Sequence, residues 1–198
     1  MYFSSILFLI LFLPLTVLIY YLSPNIKIKN AVLLVASLFF YGVGEPKNIF
    51  LLLACTLISH VLTILMCNTK YRRGILAIIL LLNLGVLCFY KYLGINVSLP
   101  VGISFYTFHG LSYVIDIYYK RIKAEYNFVD YSLFVSYFPL LVAGPIERAT
   151  HLLPQVKVKR TFDLEKAKEG LPQFVWGLVK KVVIADSCAT YANAVFDN

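Results

Sequence analysis

Residues 99–121, LPVGISFYTFHGLSYVIDIYYKR, decide how this chain is read. The run is apolar enough to enter a bilayer, yet it carries tyrosines, a histidine and an aspartate. On a helix starting near Ile103, the residues Tyr106, His109, Tyr113 and Asp116 follow one another at spacings of 3, 4 and 3. That spacing places all four on one face, with Lys120 four residues beyond Asp116. Ile103, Phe105, Phe108, Leu111, Val114 and Ile117 occupy the opposite face. Lipid offers no hydrogen bonds, so such a stripe must face protein or a water-filled cavity. Two readings stay open here. The stripe is either a zipper that joins helices, or the lining of a passage in which an intramembrane carboxylate and histidine are functional.

The rest of the composition agrees with a membrane location. Apolar residues make up 60% of the 198 and charged ones only 14%, far from the soluble average. At roughly 20 residues per span, this length holds about five or six spans. The expected class is therefore all-α, a polytopic integral membrane helix bundle. A net charge of +8 invites a nucleic-acid reading. The basic residues, however, fall in short clusters between apolar runs, which suits the positive-inside bias and excludes a nucleic-acid partner. Cys55, Cys67, Cys88 and Cys188 show no CxxC spacing, so they read as buried small hydrophobes rather than a metal or disulfide set.

Working outward, residues 2–22 form an uncharged run long enough to span, with a kink expected at Pro14. They lack the positive start and cleavage pattern of a removable signal peptide. Residues 31–43 are apolar but short for a straight crossing, with Asn30 as a candidate cap. Residues 48–66 are a clearer span, and His60 within it has no titratable neighbour one turn away. That histidine reads as packing. Residues 74–90 form the next span, with Asn83 its only strongly polar residue. Asn96, Val97 and Ser98 match a glycosylation sequon, a weak three-residue pattern.

Positive charge sits in alternate loops, at Lys27 and Lys29, at Lys70, Arg72 and Arg73, and at Lys120, Arg121 and Lys123. The positive-inside rule then puts those loops in the cytoplasm and the N-terminus outside. The basic segment 157–168 also prefers the cytoplasm, so both flanks of residues 128–143 lie on one side. A re-entrant element is predicted there, broken at Gly144 and Pro145. Glu147 and Arg148 beyond the break are either a solvated pair or include an arginine that binds an anionic donor. Asp163 is placed to cap a helix, with Gly170, Leu171 and Pro172 ending it. Lys180 and Lys181 then sit at one edge of an apolar helix that lies along the cytoplasmic interface, enters the membrane with its lysines snorkelling, or holds an acidic carrier or phosphate-bearing donor.

No GxSxG elbow, Walker loop, GxGxxG or HExxH occurs in the chain. The blocks 99–121, 126–155 and GLVKKVVIAD (177–186), in that order, instead resemble the membrane-bound O-acyltransferase family. The similarity is to its bacterial branch that O-acetylates alginate and related exopolysaccharides. The resemblance implies acetyl transfer to a polysaccharide outside the membrane, and separate exopolysaccharide acetylation proteins there as partners. It implies an acetyl donor such as acetyl-CoA or an acyl carrier on the cytoplasmic side, with no bound cofactor and no metal. It also implies the bacterial plasma (inner) membrane as location. Residues 1–198 are expected to be the N-terminal part of a single family domain, inactive and unstable alone. The family's motif histidine lies downstream of the last block, so none of His60, His109 and His151 inherits a catalytic role. Where the resemblance leads to a glutamine, this chain has His109. The residues left as candidates are Tyr106, His109, Tyr113 and Asp116 for a passage, and Gly144, Pro145, Glu147, Arg148, Lys180 and Lys181 for a donor side. A transporter or channel subunit is the alternative function, since it too shows polar membrane helices and a broken element.

Overall fold

The structure, a computed structural model, describes residues 3–93, 99–142 and 144–196, and no strand occurs among them. The sequon at Asn96 lies outside the described residues. The chain divides into two compact units, one of residues 22–159 and one of residues 1–21 with 160–198.

In the larger unit four helices run up and down in sequence. These are α2 (Ile26–Gly44), α3 (Ile49–Asn68), α4 (Arg72–Cys88) and α5 (Ile103–Tyr118). Among the described residues, three apolar helical runs have the length to cross a membrane: Ile26–Gly44 with 19 residues, Ile49–Asn68 with 20 and Arg72–Tyr92 with 21. The third includes the wide turn Phe89–Leu93 that continues α4. The expected short element at 31–43 is therefore corrected. Helix α2 begins at Ile26, takes in Lys27 and Lys29, and holds Asn30 inside it rather than at its start.

Helix α5 is the centre of this unit. Ten of its 16 residues are buried, because it packs on α3, α4 and the helices that follow it. Its start is set by Gly102, whose φ of +78° suits glycine, and a Cβ there would lie 2.5 Å from the Leu141 carbonyl oxygen. Its end is closed by Arg72, whose Nη2 donates to the carbonyls of Ile117 and Tyr118 at 3.3 and 3.4 Å. A cation at a helix C-terminus both satisfies orphan carbonyls and opposes the helix dipole. Because of that contact, the α3–α4 turn and the C-terminus of α5 lie at one end of the unit. Between α3 and α4, Asn83 donates to Ser59 at 3.0 Å and to the Ile79 carbonyl at 2.9 Å.

The next segment enters the bundle and turns back. Helix α6 (Phe128–Ser136) has nine residues, about 13 Å, less than half of the roughly 30 Å hydrocarbon thickness. A short α7 (Phe138–Leu141) follows, then irregular backbone, then α8 (Ala149–Lys157), which packs on both α6 and α5. Lys157 at the end of α8 is ion-paired with Glu125 before α6, so both ends of the hairpin meet at the same level. This is the predicted re-entrant element, with one correction. The helix first breaks at Tyr137 (ψ 111°), seven residues ahead of Gly144. Pro139 explains it, having no N–H to give Val135 and a ring that would strike that carbonyl.

In the smaller unit, α1 (Leu13–Leu22) is preceded by a wide π-turn at Phe8–Phe12, where the helix accommodates Pro14. Asp163 caps α9 (Leu164–Val179) as expected, accepting from the N–H groups of Glu165 and Lys166. The helix does not end at residues 170–172. It continues through Pro172 to Val179, so the proline removes one backbone bond without stopping the helix. The π-turn Lys180–Ala185 and α10 (Asp186–Phe196) complete the unit.

Candidate functional site

The polar stripe of α5 forms as the spacing predicts. Tyr106, His109, Tyr113 and Asp116 are all buried, between 0 and 3% exposed. Each has its own surroundings. Asp116 Oδ1 accepts from Arg121 at 3.0 Å, while Oδ2 is buried without a partner among the described residues. Arg121, rather than Lys120, meets the carboxylate because the helix stops at Tyr118 and Lys120 turns away with a φ of +59°. Tyr113 is pinned by the Glu125 N–H, which donates to its hydroxyl at 2.8 Å. The Tyr106 hydroxyl is buried without a partner among the described residues.

His109 connects the stripe to the re-entrant hairpin. Its Nε2 accepts the backbone N–H of Glu147 at 3.1 Å. Accepting there requires the neutral tautomer with its proton on Nδ1. Nδ1 is buried with no hydrogen-bond partner among the described residues. The ring packs against Phe134 with centroids 5.6 Å apart. A second backbone donor is met from α2, where the Ser37 hydroxyl accepts the Phe138 N–H at 3.1 Å and donates to the Leu33 carbonyl at 2.7 Å. Broken backbone at membrane depth is tolerated only when such groups find protein partners. Ser37 and His109 supply them.

The donor-side candidates divide between the two units. Gly144, Pro145, Glu147 and Arg148 lie in the return turn, and Gly144 packs so tightly on Leu140 that a Cβ would sit 2.5 Å from its Cα. Glu147 pairs with His151 at 3.0 Å instead of with Arg148. Arg148 is exposed, with no ion pair among the described residues. Lys180 and Lys181 belong to the smaller unit, where Lys181 pairs with Asp186 and Lys180 lies 5.5 Å over the Trp176 ring.

Sequence reasoning passed over the second polar cluster. Asn30 donates to Asp130 Oδ1 at 2.8 Å and to the Val156 carbonyl at 3.2 Å, so α2 holds both arms of the hairpin. Asn127 donates to the other Asp130 oxygen at 3.0 Å, and its backbone N–H donates to Glu125 at 3.0 Å. A polar residue inside an apolar run was the available signal, but its partner is 100 residues away. His60 is buried and stacked on Tyr131 at 4.9 Å, as a packed histidine should be. No group of three metal-ligating side chains comes together among the described residues.

To this bundle, with its buried polar stripe and turned-back hairpin, similarity to known proteins adds a comparison. The probable alginate O-acetylase AlgI of Azotobacter vinelandii is 36% identical over 99% of this chain and 44% of its own length. That of Pseudomonas fluorescens is 37% identical over 99% of the chain and 41% of its own. Nearly the whole chain is therefore similar to a part of proteins named as alginate O-acetylases. The peptidoglycan O-acetyltransferase of Helicobacter pylori is 30% identical over 98% of the chain and 46% of its own length. The chain thus spans less than half the length of these curated relatives. No family model and no solved structure matches it. The chemistry these relatives are named for is acetyl transfer. Transfer to a hydroxyl needs a base near that hydroxyl and donors for the oxyanion. His109 cannot easily be that base here, because its Nε2 lone pair is engaged by Glu147.

Proposed function

We propose that this chain is the membrane part of an O-acetyltransferase that carries acetyl groups across the bilayer to an exopolysaccharide such as alginate. The observation that carries the reading is its 34 to 37% identity, over 99% of its length, to proteins named as alginate O-acetylases. In this reading the chain sits in the bacterial plasma membrane with its N-terminus outside and its cationic loops in the cytoplasm. An acetyl donor such as acetyl-CoA or an acyl carrier approaches from that side, and acetylation proteins outside the membrane receive the product. The stripe of Tyr106, His109, Tyr113 and Asp116 lies along the path between the two faces. The hairpin turn at Gly144, Pro145, Glu147 and Arg148 serves the donor side, and in the smaller unit Lys180 and Lys181 are separate candidates to attract the donor's charge. The base of the transfer is assigned to a family histidine outside these 198 residues.

The test uses the complete reading frame that contains this chain, deleted and then restored, with acetyl ester measured on the exported polysaccharide. Deletion should abolish the ester and restoration return it. Unchanged ester after deletion would refute the proposal. Substrate uptake by vesicles without any acetyl transfer would point to a transporter instead.

A further inference from the structure

The α3–α4 turn carries a feature that acetyl transfer does not explain. A surface cavity of about 500 Å³ opens there, lined by Lys70, Tyr71, Arg72, Arg73, Gly74 and Tyr118. Ligand pockets commonly run from about 300 to 1,000 Å³, so the space suits a small group. Three of the six lining residues are cations and none is an acid. Asp116, the one carboxylate on α5, is already paired with Arg121.

Lys70 and Arg73 have no ion pair among the described residues, and Tyr71 is 79% exposed. Arg72 spends its Nη2 on the α5 carbonyls and stacks 5.7 Å over Tyr118, while its Nε is buried without a partner among the described residues. The cavity also lies at the start of α4, where no side chain caps the first turn. A Cβ added at Gly74 would meet nothing within 4 Å, so the approach to those N–H groups is open. Free N–H groups, the positive end of the helix dipole and two unpaired cations all favour an anion. The turn joins two apolar runs of membrane-spanning length, which puts the cavity at the level of lipid phosphates. Tyr71 and Tyr118 flank it, as aromatic side chains do at that depth.

We propose that this cavity binds a phosphate ester at the membrane surface, held by Lys70, Arg73 and the first turn of α4, with Arg72 fixing the wall. The same chemistry is offered by an anionic lipid headgroup and by a soluble phosphate compound. Two probes separate these sources. The complete protein that contains this chain is placed in nanodiscs of phosphatidylcholine with or without phosphatidylglycerol, and retained lipid is read by native mass spectrometry. In parallel, inorganic pyrophosphate is titrated against the same protein in neutral detergent.

A basic residue close to an anionic surface contributes about fivefold in affinity, so Lys70→Gln with Arg73→Gln should weaken binding about 25-fold. Lys70→Gln alone should lose about fivefold. The control, Lys27→Gln with Lys123→Gln, removes equal charge elsewhere on the chain and should leave binding essentially unchanged. Helix content by circular dichroism should match across all variants, since Lys70 and Arg73 are surface residues. Selective retention of phosphatidylglycerol that only the cavity variants lose supports the lipid as source. Pyrophosphate binding with the same variant pattern, without lipid selectivity, supports a soluble one. Equal loss in the cavity and control variants, or no loss in either, for both probes overturns the proposal.

Discussion

Replacing His109 with leucine tests what this residue does. The side chain is fully buried, and its Nε2 takes the Glu147 N–H at 3.1 Å. Leucine keeps much of the volume against Phe134 but offers no acceptor. The Glu147 N–H would then stay partly buried without a partner, at a cost of about 1 to 3 kcal/mol. That free energy falls on local opening of the return turn, so hydrogen exchange there should quicken by roughly 5- to 150-fold. Glutamine carries a carbonyl oxygen at comparable reach and should restore most of the protection. The assay is amide exchange over residues 144–152 by mass spectrometry, in detergent or nanodiscs, for His109→Leu and His109→Gln beside the native chain. Exchange in α3 is the internal reference. If both variants exchange alike, the hydrogen bond does not hold the turn. If α3 loosens equally, the effect is general unfolding, and the argument for a clamp fails as well.

Other expectations follow from the same geometry. Asp116→Asn in the complete reading frame should lower polysaccharide acetylation while membrane levels stay near normal; a proportional fall in protein would make the stripe packing alone. Gly102→Ala sets a Cβ 2.5 Å from the Leu141 carbonyl at a φ of +78°, and should destabilise by about 1 to 3 kcal/mol in denaturant titration. Asp130→Ala strips Asn30 and Asn127 of a shared buried acceptor; protease cutting between α6 and α8 should quicken, while α4 stays protected. Single cysteines at Arg73 and Lys123 should resist an impermeant thiol reagent in intact cells and react after permeabilisation, and labelling from outside would invert the topology.

The class of this protein was legible because membrane insertion is mainly a matter of composition and run length. The uncharged runs and alternating cationic loops needed no partner residue to be understood. Periodicity likewise placed Tyr106, His109, Tyr113 and Asp116 on one face of α5, since helical spacing is local. The same reading foresaw a half-inserted segment, because charge on both flanks forbids a full crossing. Its break was set too late. Gly144 and Pro145 gave the stronger turn signal, but Pro139 ends α6 earlier by denying Val135 a donor.

What the sequence by itself determined was therefore what depends on neighbours in the chain: an all-helical membrane bundle, a polar stripe and an incomplete crossing. Only the tertiary structure decided how the broken backbone is satisfied. Ser37 reaches Phe138 across 101 positions, Asn30 reaches Asp130 across 100, and His109 reaches Glu147 across 38. Each polar residue was visible in its apolar run, but a hydrogen bond needs a partner at about 3 Å, and one-dimensional spacing carries no such distance. It is packing of α2 and α5 around the hairpin that makes His109 an acceptor for backbone, and Asp116 a buried side chain met by Arg121.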